Sequence, residues 1–105
     1  MIDLNLSTSS EIVKLLCSRL RTERLAQEMT QAEVAARAGI GINTVSNLEA
    51  GRSVVFDSVV RVAMVLGHVG ELENLFKPRL DSLDDIRRYE HGTQRQRIRK
   101  KTHNA

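Results

Sequence analysis

The sequence predicts an all-α fold. Three observations carry that prediction: Leu, Val, Ile and Ala recurring at helical spacing, glycines where those runs stop, and aromatics at only 3% of the chain. A chain of 105 residues has room for one small domain and one modest core, which a dimer interface would help to stabilise. The pattern divides into an N-terminal arm or short strand (1–8), a five-helix domain (9–77), an extension with a short sixth helix (78–91) and a basic tail (92–105).

From the start, Ile2, Leu4 and Leu6 alternate with Asp3, Asn5 and Ser7, a period of two compatible with a strand. A lone strand would need a second copy across a dimer axis; a frayed arm is the expected state. Ser9 or Ser10 then caps a helix from about Glu11 to Glu28, with Ile12, Leu15, Leu16, Leu20 and Ala26 as its buried stripe. Cys17 lies close to that stripe as a small core residue. One cysteine excludes an internal disulfide and a Cys-cluster zinc site.

The stretch Thr30–Arg52 is the centre of the chain. Thr30 caps a helix, and Glu33 three residues on completes a capping box. Val34, Ala35 and Ala38 form its apolar face, and Gly39 suits the left-handed residue that ends it. A second helix, about Ile42 to Ala50, buries Val45 and Leu48, stops at Gly51, and leaves Ile42, Asn43, Ser46 and Asn47 free. Small Ala35 and Ala38 allow the two helices to cross closely at a steep angle.

This stretch resembles the helix-turn-helix of phage repressor and Cro type, the XRE family. The likeness rests on Thr30-Gln31-x-Glu33-x-Ala35, Ala38-Gly39-Ile40 and Thr44-Val45-Ser46-x-Leu48-Glu49-x-Gly51-Arg52, and extends loosely from Leu16 to Phe76. It implies a lambda-repressor-like domain whose second motif helix reads the DNA major groove. Base-edge readers are then Ile42, Asn43, Ser46 and Asn47. Asn43 and Asn47 have the donor and acceptor that adenine requires, while Ile42 can pack on a thymine methyl. Gln31, Arg37, Thr44, Arg52 and Ser53 are the implied phosphate contacts. By resemblance Gln31 also braces Ile42, although isoleucine offers it no hydrogen bond. The family also implies an ion pair between Arg24 and Glu49, the alternative being a surface arginine.

After a loop from Arg52 to Phe56, Asp57 caps a fourth helix rich in Val59, Val60, Val62, Ala63, Val65 and Leu66, with Phe56 plugging the core at its start. A fifth helix, about Gly70 to Phe76, closes at Pro78. In relatives this region forms the dimer contact, which makes Leu72 and Phe76 the candidates, unless both simply finish the core. Ser82 caps the sixth helix, with Asp84 and Asp85 in its first turn, and Tyr89 to Gly92 ends it.

The formal net charge is +3, but Arg95, Arg97, Arg99, Lys100 and Lys101 leave the rest at about −2 when removed. That tail either adds DNA contacts or is a solvated, mobile end. Scarce aromatics argue against binding single strands by stacking. His68, His91 and His103 lack metal spacing, and no phosphate loop or nucleophile setting is present, so neither an enzyme nor a cofactor is expected. His68 is expected to favour its helix's C-terminal end. No long apolar run or signal pattern appears, and the expectation is a cytoplasmic protein without membrane contact.

The leading reading is a dimeric, sequence-specific regulator of double-stranded DNA, a repressor on a palindromic operator. The size, the sixth helix and the Gln-Arg-Gln-Arg run also resemble antitoxins of the HipB kind, which bind kinase-type toxins and repress their own operons. A third reading is a protein-interaction module with little DNA binding, since the reading face is uncharged.

Overall fold

The computed structural model describes the backbone of residues 4–103 and the side chains of residues 4–95. Six α-helices follow a single 3-10 turn at Leu4–Leu6, and the described residues contain no strand. They are α1 (Ser9–Ala26), α2 (Gln31–Ala38), α3 (Ile42–Glu49), α4 (Phe56–Val65), α5 (Val69–Asn74) and α6 (Leu83–His103). The chain divides into two units between Glu73 and Asn74. The alternation of apolar and polar residues at the N-terminus therefore does not make a strand at Leu4–Leu6, and Met1–Asp3 lie outside the described residues.

The core of the first unit joins α1 to α4. Val34 and Val45 are completely buried, Leu48 and Val62 nearly so, and Cys17, Met29, Ala35, Ala38 and Leu66 surround them. α2 packs against both α3 and α4, and its small Ala35 and Ala38 sit within that core. On α1 the stripe runs through Cys17 and half-buried Ile12, Leu15 and Leu20, whereas Leu16 and Ala26 are exposed. Periodicity alone leaves the stripe ambiguous by about one position, and the arginine it omits, Arg24, is buried.

Four helix ends in this unit close in the same way. After α2, Gly39 at φ 72° is left-handed and Ile40 N–H donates to Ala35 C=O at 3.1 Å. After α3, Gly51 at φ 72° lets Arg52 N–H reach Asn47 C=O at 2.8 Å. Gly67 does this after α4. These are Schellman closures, which satisfy the last carbonyls of each helix. α1 closes identically, with Met29 N–H on Arg24 C=O at 3.1 Å, but its left-handed residue is Glu28 at φ 56°. That conformation ends α1 at Ala26, two residues short of the expected Glu28, and turns Met29 into the core.

Helix starts differ more from expectation. Thr8, not Ser9 or Ser10, caps α1, its Oγ1 accepting from Glu11 N–H at 3.2 Å. Thr30 and Glu33 form the expected capping box of α2. Val55 stands at the cap of α4 with no side-chain bond, and Asp57 lies inside the first turn, paired to Arg61 at 2.7 Å. Phe56 opens α4 and is 63% exposed, so it does not plug the core. α5 begins at Val69 and stops at Asn74, earlier than Phe76. His68 sits ahead of α5, its side-chain Nδ1 3.0 Å from Glu71 Oε1 in that helix, while only its backbone N–H meets the end of α4, on Ala63 C=O at 2.9 Å.

In the second unit Ser82 caps α6, its Oγ accepting from Asp85 N–H at 3.1 Å, and Asp85 bonds Arg88. α6 does not end near Tyr89–Gly92: it continues to His103 through the segment expected to be a mobile tail. Gly92 is compatible with a helix interior at a cost of about 1 kcal/mol. The residues beyond it contain no proline, so nothing forces a stop.

Two outcomes test the helix-end analysis. Glu28→Gly should raise the midpoint of urea unfolding, with a gain of about 0.5–1 kcal/mol from relieved left-handed strain. Gly51→Ala should cost more than Gly39→Ala. Both add about 1–2 kcal/mol of backbone strain, but only at Gly51 would the new Cβ also meet Lys14, 2.6 Å from Cγ and 3.1 Å from Cα.

Candidate nucleic-acid interface

The two faces of α3 differ sharply. Val45 is fully buried and Leu48 is 1% exposed, while Ile42 on the other side is 50% exposed. Asn43 and Thr44 are exposed beside Ile42, and Ser46 and Asn47 are half-buried. The four residues expected to read bases thus share the side of α3 away from the core. Gly41 precedes the helix without a side-chain cap. Its lack of a cap leaves the N-terminal N–H groups of α3 to solvent or a ligand.

What fixes α3 in place is a buried polar cluster at its other end. Arg24 of α1 donates from Nε to Glu49 Oε2 at 2.6 Å and from Nη2 to Glu49 Oε1 at 3.0 Å. Its Nη1 donates to Met29 C=O at 2.8 Å. Gln31 of α2 adds its Nε2, 3.0 Å from Glu49 Oε1. Arg24 and Glu49 side chains are only 9% and 3% exposed. No buried side-chain nitrogen or oxygen among the described residues lacks a partner. A two-pronged guanidinium–carboxylate bond fixes orientation as well as distance. The cluster therefore ties the ends of three helices together.

The electrostatics agree with that geometry. Burial works to raise the carboxyl of Glu49, but the hydrogen bonds from Arg24 and Gln31 and the charges of Arg24 and Arg21 outweigh it, holding the group below its ordinary value. The bond to Glu49 raises the guanidinium of Arg24, against the opposing effect of burial. Burial pushes the Cys17 thiol up, as suits an inert core residue.

Gln31 is placed differently from expectation. Its amide braces Glu49 at the end of α3 and not Ile42 at the beginning. One amide N–H and the carbonyl oxygen are left over, so a phosphate contact from the side chain would use that remaining amide N–H, beside the backbone N–H at the start of α2. Arg37 and Arg52 are exposed, as are Thr44 and Ser53. Ser53 has φ 49°, a left-handed backbone in the loop after α3. Leu72 is half-buried, while Phe76 is 85% exposed on a left-handed backbone at φ 59°. Phe76 therefore does not finish the core. Arg95 is exposed on α6, and the side chains of Arg97, Arg99, Lys100 and Lys101 lie outside the described residues.

Two supporting residues carry no sequence signal. Arg61 bonds Asp57 and also donates to Ala38 C=O at 3.3 Å, bracing the turn between α2 and α3. Gln27 donates to Leu66 C=O at 2.8 Å, linking the ends of α1 and α4. Both act through backbone carbonyls, which no residue pattern marks.

Residues 15–74 match a family model described as a helix-turn-helix domain. No curated protein matches the chain. Among the described residues no helix is long and apolar enough to cross a membrane.

Arg24→Met should destabilise the fold by about 3–5 kcal/mol, because it leaves a buried carboxylate without its cation. Arg24→Met/Glu49→Met should recover much of that loss, which urea unfolding of both variants checks. The pair also sets an acid limit. Since Glu49 titrates below its usual 4.5 when folded, its stabilisation is complete above that value and disappears as pH falls through the folded one. Glu49→Gln should flatten this part of the stability–pH curve.

Proposed function

The chain belongs to the helix-turn-helix domain family, and from that premise we propose that it is a dimeric repressor of the XRE kind, reading a palindromic operator in double-stranded DNA. The observation that carries the proposal is the two-faced α3, buried through Val45 and Leu48, with exposed Ile42 and Asn43 and half-buried Ser46 and Asn47 on the side away from the core. A helix held by its back and presenting amides outward is suited to major-groove reading.

The roles follow from chemistry. Asn43 and Asn47 would each hold an adenine through one donated and one accepted hydrogen bond. Ile42 would cover a thymine methyl, and Ser46 would serve either base edge. Arg37, Arg52, Thr44, Ser53 and the spare amide N–H of Gln31 would bind phosphates, setting register without reading sequence. α6 would add cations through Arg95 and the basic residues after it, deepening the dependence on salt.

One such module offers a small footprint, so a pair on two half-sites about 34 Å apart is the natural assembly. Leu72 and Phe76 are the proposed dimer contacts, with the exposed ring of Phe76 as the apolar anchor. A dimer lying across a promoter would repress by excluding polymerase.

Selection from a pool of randomised duplexes tests this. The expected product is a two-fold symmetric site with A·T pairs in each half. Asn43→Ala and Asn47→Ala should each relax base preference at one position by about 1–3 kcal/mol with unfolding midpoints unchanged. Unchanged preference in both variants would reject the assignment, and recovery of no duplex would reject the function.

A further inference from the structure

α3 itself carries no cation, since its eight residues are Ile-Asn-Thr-Val-Ser-Asn-Leu-Glu. Its only charge, Glu49, is neutralised by Arg24. If this helix enters a groove bordered by two rows of phosphates, neighbouring elements must supply the neutralising charge. Arg52 stands just beyond its C-terminal end. The remaining question is which other cations the fold brings to that end.

The packing of α1 on α3 answers it. Gly51, which closes α3, lies so close to α1 that a Cβ there would fall 2.6 Å from Lys14 Cγ and 3.1 Å from Lys14 Cα. At about 100° per residue, Lys14 and Arg21 stand about 20° apart on α1. They share the side of Cys17 and Arg24, the two residues α1 buries. Arg21 follows Cys17 by one turn and precedes Arg24, whose head grips Glu49. Arg21 is also close enough for its charge to act on the Glu49 carboxyl. Both Lys14 and Arg21 are exposed, and among the described residues neither forms an ion pair, in contrast to Arg24, Arg61, Arg79 and Arg88. Arg19, also unpaired, lies about 140–160° round the helix from them and faces away from α3.

We propose that Lys14 and Arg21 of α1, together with Arg52, form a cationic flank at the C-terminal end of α3 that binds DNA phosphates bordering the groove. The inference rests on the DNA-binding reading above and adds to it a binding surface on a helix outside the two-helix motif. Unpaired cations near a helix C-terminus also complement its dipole. That effect would appear in stability alone, which separates it from phosphate binding.

The test is the salt dependence of binding to the duplex recovered by selection, measured by fluorescence anisotropy across a potassium chloride series. Lys14→Gln and Arg21→Gln keep most of the side-chain stem while removing the charge, and Arg19→Gln is the control of equal net charge. Each of the first two should flatten the plot of log affinity against log salt by about 0.9 for every phosphate that is no longer neutralised, summed over both protomers. Arg19→Gln should keep the wild-type slope, as should Lys14→Arg and Arg21→Lys. Urea unfolding of each variant confirms that it is folded in the assay. Wild-type slopes in Lys14→Gln and Arg21→Gln would overturn the flank while leaving the DNA-binding reading intact. An equal flattening in Arg19→Gln would overturn it too, since net charge would then explain the effect. If the wild type binds no duplex, the reading and the flank fall together.

Discussion

The buried bond between Arg24 and Glu49 is the constraint on which the rest of the first unit depends. A carboxylate at 3% exposure is tolerable only if its lone pairs are met, and Arg24 with Gln31 meets them. Arg24 reaches from α1, Gln31 from α2, and Glu49 ends α3, so one set of hydrogen bonds fixes three helices. A fourth bond, to Met29 C=O, secures the turn after α1. Replacing such a pair with apolar residues can leave stability unchanged. What apolar contact would not provide is direction, and direction is what a reading helix needs.

The orientation of α3 is therefore set from behind and from its far end. Val45 and Leu48 press it on the core, Glu49 anchors its last turn, and the Schellman closure at Gly51 brings the chain against Lys14. The first turn of α3 lacks a side-chain cap at Gly41, and the turn before it is held by Arg61 on Ala38 C=O and by Ile40 against the core. Gln31 does not brace that first turn, being committed to Glu49.

Most of this is legible where local rules act over a few residues. The capping box Thr30–Glu33, the left-handed Gly39 and Gly51, and the division of α3 into buried and free faces all follow from spacing and from what glycine alone tolerates. The failures have equally specific causes. Glu28 takes a left-handed conformation that its residue type does not announce, so the pattern carries α1 two residues past its C-terminal end. An aromatic such as Phe56 suggests the core, yet its position opens α4 on the exposed side. Lost apolar periodicity suggests a stop after Tyr89, but a helix needs no apolar face to continue where no breaker intervenes. The long-range roles of Arg61 and Gln27 escape because those partners, Ala38 and Leu66, are met at backbone carbonyls, present at every residue and marked by none.

On the proposed reading, charge placement would divide base reading from phosphate holding. Ile42, Asn43, Ser46 and Asn47, on the side of α3 away from the core, are aliphatic, amide and hydroxyl, a chemistry suited to base edges that contributes no long-range attraction. Cations at the edge of a protein–DNA interface act through counterion release, which is indifferent to sequence. Keeping those cations off α3 would separate the two proposed roles physically. A cation in the last turn of α3 would also lie near the Arg24–Glu49 bond and compete for its carboxylate. Lys14 and Arg21 stand on α1 instead, and among the described residues neither pairs with Glu49, although the charge of Arg21 still acts on that carboxyl. The buried pair thus lets α1 act as scaffold on one turn and as a source of positive charge on the turns beside it.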